Sequence, residues 1–258
     1  MNLNPASLYS EGIVYPESDG LPMADNTRQF RWITTLAGNL AALFHDRPDV
    51  FVGGNLFWYP VEAHPEIRAA PDAFVVFGRP KGDRPSYQQW KEDNVPFTVV
   101  FEVLSPGNTF VEMDDKQAFY EEYGVEEYYI YDPDANRLMV FLRRGSVLLR
   151  VRPVTDFVSP RLGIRFALSG PEMVVYRPDG RPFLTFEELE TARSQAEQRA
   201  SAAEQRAGQA EQRANQAEQR AGQAEQRATR LAELSRKARR GHASEDELKE
   251  LEDLEGDS

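Results

Sequence analysis

The sequence predicts a mixed α/β fold, with a central mixed β-sheet flanked by helices and a long helix after it. Three observations carry this reading. A helical apolar period near the start gives way to short runs rich in Val, Phe and Tyr. A second helical stretch separates those runs from further strands, the element order of α/β or α+β packing. From residue 191 the chain becomes a seven-residue alanine repeat.

The elements follow in order. Thr27 to Phe44 (TRQFRWITTLAGNLAALF) has helical spacing, with Asp25 or Asn26 as its N-cap. Strand-like runs begin at Val50 (VFVGGNLFWYP), Asp72 (DAFVVF) and Phe97 (FTVVFEVL). The run from Phe97 to Leu104 is apolar on both faces, so it is read as a central strand. Ser105-Pro106-Gly107 signals a turn. A helix from about Val111 to Tyr123 then ends at Gly124, a residue suited to the left-handed position after a helix. EYYIYD from Glu127, RLMVFLR from Arg137 and SVLLRVRP from Ser146 resume the sheet, and a polar, proline-rich run to Pro178 holds short strands. Residues 1–190 are thus expected to form one folded domain, 191–244 a heptad-repeat helix, and 245–258 an acidic, disordered tail.

The repeat places Ala196, Ala200, Ala203, Ala207, Ala210, Ala214, Ala217, Ala221, Ala224 and Ala228 on one seam. With Ala196 at heptad position d, every repeat glutamate falls at e and every repeat arginine at g. Arg199 then precedes Glu204 by five residues, the offset of a pair between parallel helices rather than within one. The charges favour parallel self-association into at least a dimer. Alanine buries little area, and Gly208 and Gly222 weaken the helix, so a single solvated helix is the competing reading.

Composition narrows the function. The 258 residues are 41% hydrophobic, and no apolar run approaches the roughly 18–20 residues of a membrane span. The stretch MNLNPASLYSEG has no basic start followed by an apolar segment, so no signal peptide is expected. The absence of cysteine removes disulfides and Cys-based zinc sites and fits a cytoplasmic location. A net charge of -12 argues against loose nucleic-acid binding through bulk charge, while leaving room for a local basic surface. The three histidines, His45, His64 and His242, are scattered, and no G-x-x-x-x-G-K-[ST] motif is present.

One constellation of residues suggests chemistry. Side chains alternate along a strand, so Thr98, Val100, Glu102 and Leu104 share a face. Asp72 opens a strand directly after Pro71, and the helix after the turn carries Glu112, Lys116 and Tyr120 on one stripe. Two carboxylates and a lysine can therefore meet at one edge of the sheet. Such a set can hold Mg²⁺, a hard ion that prefers oxygen, and can steady a developing oxyanion. The same residues also fit a structural ion pair between Glu102 and Lys116, with Asp72 ending a turn. The segment RPKGDRPSYQQWKED offers Arg79, Lys81, Arg84 and Lys91 beside Tyr87 and Trp90 for contact with a DNA backbone, or forms a loop packed on the domain.

The stretches PDAFVVF and VVFEVLSPGNTFVEMDDKQAFYEEYGVEEYYIYDP resemble the Uma2 family of endonucleases, a branch of the PD-(D/E)xK nuclease superfamily. The resemblance covers most of residues 10–190. It implies a restriction-endonuclease-like fold, with Asp72 and Glu102 as motif carboxylates and Mg²⁺, or Mn²⁺ in its place, as their ion. The superfamily pattern puts a lysine two residues after the glutamate, where this chain has Leu104; Lys116 on the following helix matches the family's placement. Tyr120, Gly124, Val125, Glu127 and Tyr128 match the pattern beyond it. Where many members have a histidine on the first helix, this chain has Asn26 and Gln29, so Gln29 and Tyr120 are read as supporting groups. The implied activity is hydrolysis of DNA: Asp72, Glu102 and the Val103 carbonyl hold the ion, water attacks phosphorus, and Lys116 orients that water or steadies charge. The alternative is a catalytically silent nuclease-like module that assembles through its C-terminal helix.

Overall fold

The computed structural model describes residues 12–256 apart from 19 and 21. The stretch 1–11, on which the signal-peptide expectation rests, and residues 257–258 of the acidic tail lie outside the described residues. By its internal contacts the chain divides into two units between Leu189 and Glu190.

The first unit is a mixed α/β fold. Helix α1, Thr27–Leu43, is capped by Asn26, whose side chain accepts the Gln29 N–H at 2.9 Å. A six-stranded sheet is built from β1 (Val50–Gly53), β3 (Ala73–Phe77), β5 (Val99–Val103), β6 (Glu127–Asp132), β7 (Arg137–Arg144) and β8 (Val147–Arg150), in the order β1-β3-β5-β6-β7-β8. Within this sheet, among the described residues, only β5 and β6 run parallel. A parallel pair needs a crossover, and helix α2, Phe110–Glu122, supplies it. Thr109 caps α2, and Gly124, at φ +94°, turns the chain out of it. Two small sheets complete the unit: β2 (Trp58–Tyr59) with β4 (Tyr87–Gln88), and β9 (Phe157–Val158), β10 (Arg165–Ala167) and β11 (Val174–Tyr176).

Alternation along β5 divides the core. Val99, Phe101 and Val103 face α1, where they join Trp32, Ile33, Leu36 and Leu40. Val100 faces α2 with Tyr120, Val125 and Tyr128. All five β5 residues are buried, as its two-faced apolar pattern requires. Glu102, on the α2 face, is 3% exposed. It is a carboxylate at the centre of the sheet.

A second carboxylate is also buried. Glu127, at the start of β6, accepts hydrogen bonds from Tyr129 Oη (2.7 Å), Ser159 Oγ and the Arg161 N–H (2.7 Å), tying the main sheet to the segment between β9 and β10. Burial pushes its carboxyl above the ordinary value despite those donors.

The second unit holds most of α3, Phe186–Arg239, and α4, Glu245–Gly256. The acidic segment expected to be disordered is therefore helical through Gly256. Leu248, Leu251 and Leu254 recur every three residues and give α4 an apolar stripe. Ser244 caps the Glu247 N–H while the Glu247 carboxylate accepts the Ser244 N–H, a reciprocal cap. Arg230 and Lys237 of α3 pair with Glu250 (2.7 Å) and Glu247 (2.6 Å), and Leu234 is fully buried. Basic partners thus neutralise charges that composition alone marks as repulsive. Among the described residues no helix is long and apolar enough to cross a membrane.

Replacing Glu127 leaves two hydroxyls and one amide buried without an acceptor. Glu127→Ala is expected to destabilise the fold by about 3 kcal/mol, read as a lowered denaturation midpoint at unchanged slope.

Candidate functional site

The ladder between β3 and β5 pairs Ala73 with Phe101 and Phe74 with Val100. Asp72 lies just before Ala73, in the bend that enters β3, and Glu102 follows Phe101 on β5, so the two acids come together at this end of the ladder, close enough for the Glu102 charge to act on Asp72. The chain thus brings two acids together where the sheet is dry. Their surroundings fix them closely.

Asp72 Oδ2 accepts the Val103 N–H at 2.7 Å. Gly54 makes room for the Asp72 backbone, since a Cβ there would lie 2.4 Å from the Asp72 carbonyl oxygen. The neighbouring Asn55 N–H donates to the Pro71 carbonyl at 2.9 Å, which clamps the chain entering β3. Glu102 has a partner on each oxygen: Lys116 Nζ at 2.8 Å on Oε2 and Tyr120 Oη at 2.6 Å on Oε1. Lys116 and Tyr120 are one helical turn apart on α2, so a single stripe delivers both. The third member of that stripe, Glu112, instead accepts the Asn108 amide at 3.2 Å.

Helix α1 holds the other side. Gln29, 7% exposed, donates Nε2 to the Val103 carbonyl at 2.9 Å and accepts the Asp25 N–H at 2.8 Å. Asp25 accepts the Ser105 hydroxyl, and Ser105 N–H donates to Asn108 Oδ1 at 2.8 Å. The turn following β5 is thereby joined to the start of α1. Sequence reading missed Asp25 as more than a capping candidate, because its partner is 80 residues away and no spacing marks the pair.

The charges are strongly coupled. Burial first, and then the Glu102 charge, push the Asp72 carboxyl up to about 8; the Val103 N–H and Lys116 oppose that rise, and Asp25 adds to it. Burial pulls the Lys116 ammonium down, but Glu102, by charge and hydrogen bond, outweighs it with help from Asp72 and Glu112, so the net shift is upward. Lys116 therefore stays cationic at neutral pH and is unsuited to act as a base. Tyr128, fully buried on β6, leaves its hydroxyl without a hydrogen-bond partner among the described residues, and its pKa is raised by burial and then by Glu102 and Asp72.

Asp72, Glu102 and the Val103 carbonyl form an all-oxygen donor set. Two carboxylates and a carbonyl suit Mg²⁺, which keeps several waters and takes few protein ligands. Tyr128 supplies an orphaned polar atom near the same charges. Among the described residues, no group of three or more His, Asp or Glu side chains is placed to hold a metal ion, so a site here rests on the two acids and backbone oxygen.

The expected DNA-contacting cations lie elsewhere and are mostly engaged. Arg79 pairs with Glu92 and Asp93. Arg84 pairs with Glu92 and covers the Phe51 ring. Lys81 donates to the carbonyls of Phe44 and His45. Of the four, Lys91 alone is left exposed without a partner among the described residues. Tyr87 is fully buried, so its ring packs into the fold rather than facing a ligand. A different cation shares a cavity with the residues that follow β5. Leu104 and Ser105 continue from the site into a cavity of about 610 Å³ that also meets Met113, Gln117, Arg137 and Arg150. Arg150 has no ion-pair partner among the described residues; burial and then the charges of Arg152 and Arg137 pull its pKa down.

The sequence profile of the Uma2 family, described as "Putative restriction endonuclease", matches residues 4–175. A similar solved structure is described as "a putative nuclease belonging to DUF820 from Anabaena variabilis ATCC 29413"; it is 12% identical, with a TM-score of 0.41, and the match covers 54% of this chain and 74% of that one. No curated protein matches.

The raised Asp72 pKa has a consequence for stability. The folded chain holds a proton on Asp72 that the unfolded chain releases from its ordinary value of 3.8. Asp72 thus supports the fold at low pH, and that support is lost as pH rises from about 4 to about 8. In chelator, Asp72→Asn is expected to be the more stable chain at pH 8, with the gain vanishing towards pH 4. Thermal melts across that range check it, and parallel profiles for the two chains would contradict it.

Proposed function

This chain belongs to the Uma2 family, and from that membership and the two acids that meet where β3 begins and β5 ends we propose that it is a Mg²⁺-dependent endonuclease hydrolysing DNA phosphodiester bonds. The single observation that carries the reading is the meeting of Asp72 and Glu102 at the end of β5, where Asp72 accepts the Val103 N–H at 2.7 Å and Glu102 holds Lys116 at 2.8 Å. Family membership alone identifies a class, whereas the acids, the amine and the oxygen donors supply parts suited to that chemistry.

Asp72, Glu102 and the Val103 carbonyl would hold Mg²⁺, or Mn²⁺ in its place. When bound, the ion supplies Lewis acidity towards a phosphoryl oxygen and an activated water. The chain's own groups do the rest. Tyr120 fixes one Glu102 oxygen, and Gln29 fixes the Val103 carbonyl, so the donors are oriented before any ligand arrives. Lys116, held cationic, steadies charge building on the phosphate. Arg150, beside the cavity, contacts the DNA backbone in place of the engaged Arg79, Lys81 and Arg84.

A second reading has an observation in its favour. Both Glu102 oxygens, one Asp72 oxygen and the Val103 carbonyl already have protein partners. The cluster is therefore self-contained enough to serve a catalytically silent binding module. Titration calorimetry separates the two readings. The nuclease binds Mn²⁺ more tightly as pH rises from 6.5 to 7.5, about tenfold if one proton leaves Asp72. A silent module binds none at millimolar metal.

Purified protein with Mg²⁺ or Mn²⁺ is expected to nick or cut DNA. Asp72→Asn and Glu102→Gln should each lower the rate at least about 10³-fold with the fold retained; undiminished cutting by both would identify a contaminant. Lys116→Gln should lower kcat more than it raises KM. Arg150→Glu should weaken DNA binding about tenfold at low salt while sparing the rate on saturating substrate, measured by fluorescence anisotropy and turnover.

A further inference from the structure

Helix α3 carries a second organised surface, separate from the acid cluster. Extending the alanine register towards its start puts Leu189 at position d and Phe186 at position a. Phe186 is the most exposed large apolar side chain among the described residues, at 82%, and Leu189 is 56% exposed. A stripe of alanines alone is a thin surface. Here it continues two large apolar residues that the chain leaves in water.

The charges beside this seam are also unmatched. Arg199, Arg206, Arg213 and Arg220 at g, and Glu204, Glu211, Glu218 and Glu225 at e, form no ion pairs among the described residues. A five-residue offset cannot be bridged within one helix. Arg193, at an a position, is different: it pairs with Glu197 on its own helix at 2.9 Å. A single charged residue in the seam costs stability but fixes register. Gly208 and Gly222 fall at b, on the outer face, where no neighbouring atom lies within 4 Å. Towards the other end the seam is already partly covered: Leu231, at d, is half-buried, and Leu234, beside it at g, is fully buried where Arg230 and Lys237 engage α4. The open part therefore runs from Phe186 to Ala228.

We propose that this face of α3 is a parallel, in-register dimerisation surface for a second copy of the chain. Each g arginine meets the e glutamate five residues on in the partner, Arg206 with Glu211 and Arg213 with Glu218 for example. An antiparallel arrangement sets like charges together. The alanines let the two helices approach closely, while Phe186 and Leu189 bury the larger apolar area at one end.

The test uses the full chain. Sedimentation equilibrium should give twice the chain mass. Arg206→Glu with Arg213→Glu should weaken self-association about tenfold or more, as should Glu211→Arg with Glu218→Arg, and mixing the two variants should restore dimers. Because the chain has no cysteine, Ala200→Cys and Ala224→Cys report orientation cleanly. Each should form a disulfide-linked dimer with itself in a redox buffer. A monomer mass for the native chain, no recovery on mixing, or cross-linking only between the two cysteine variants would overturn the proposal.

Discussion

Two acidic side chains are held close together at one end of a central sheet, and the neighbouring structure is arranged around that fact. Asp72 enters β3 beside the end of β5, where it takes the Val103 N–H, and Glu102 is almost wholly out of water. A lone carboxylate there is costly, and a pair is costlier. The chain answers with a cation from α2, a tyrosine hydroxyl from the same stripe, and a backbone N–H. The lysine and tyrosine offset the charge of Glu102, while the N–H donates to Asp72, which burial and the Glu102 charge still leave holding a proton near neutrality. A site that keeps one acid only partly compensated can exchange that proton for a metal ion.

The fold supplies the precision. β5 lies between an antiparallel and a parallel neighbour, so its end is fixed from both sides. The α2 crossover starts a few residues after Glu102 and returns Lys116 and Tyr120 over it. Helix α1 reaches the same point from the opposite face of the sheet, where Gln29 takes the Val103 carbonyl. The Asp25–Ser105 contact then holds the turn that leads into α2. Three elements distant in sequence thus meet at one strand end.

Much of this was legible in the sequence because it follows from local periodicity. Alternation along β5 puts Glu102 on the same face as Val100, and helical spacing puts Lys116 and Tyr120 on one stripe. What was hidden depends on distance or partner choice. The Asp25–Ser105 contact joins residues with no shared motif. The basic loop from Arg79 has a composition suited to a phosphate backbone, but Glu92 and Asp93 in the same loop take its arginines first. The acidic tail reads as disordered by charge alone; its leucine spacing and the basic partners on α3 favour a helix. The unpartnered Tyr128 hydroxyl has no sequence signal, since it depends on what fails to approach it.

The location of a bound divalent ion tests the account most directly. In a crystal soaked with Mn²⁺, anomalous scattering should show one strong site about 2.0–2.3 Å from oxygens of both Asp72 and Glu102. A map in which those two carboxylates share no ion, or in which Mn²⁺ occupies another part of the chain, would contradict it.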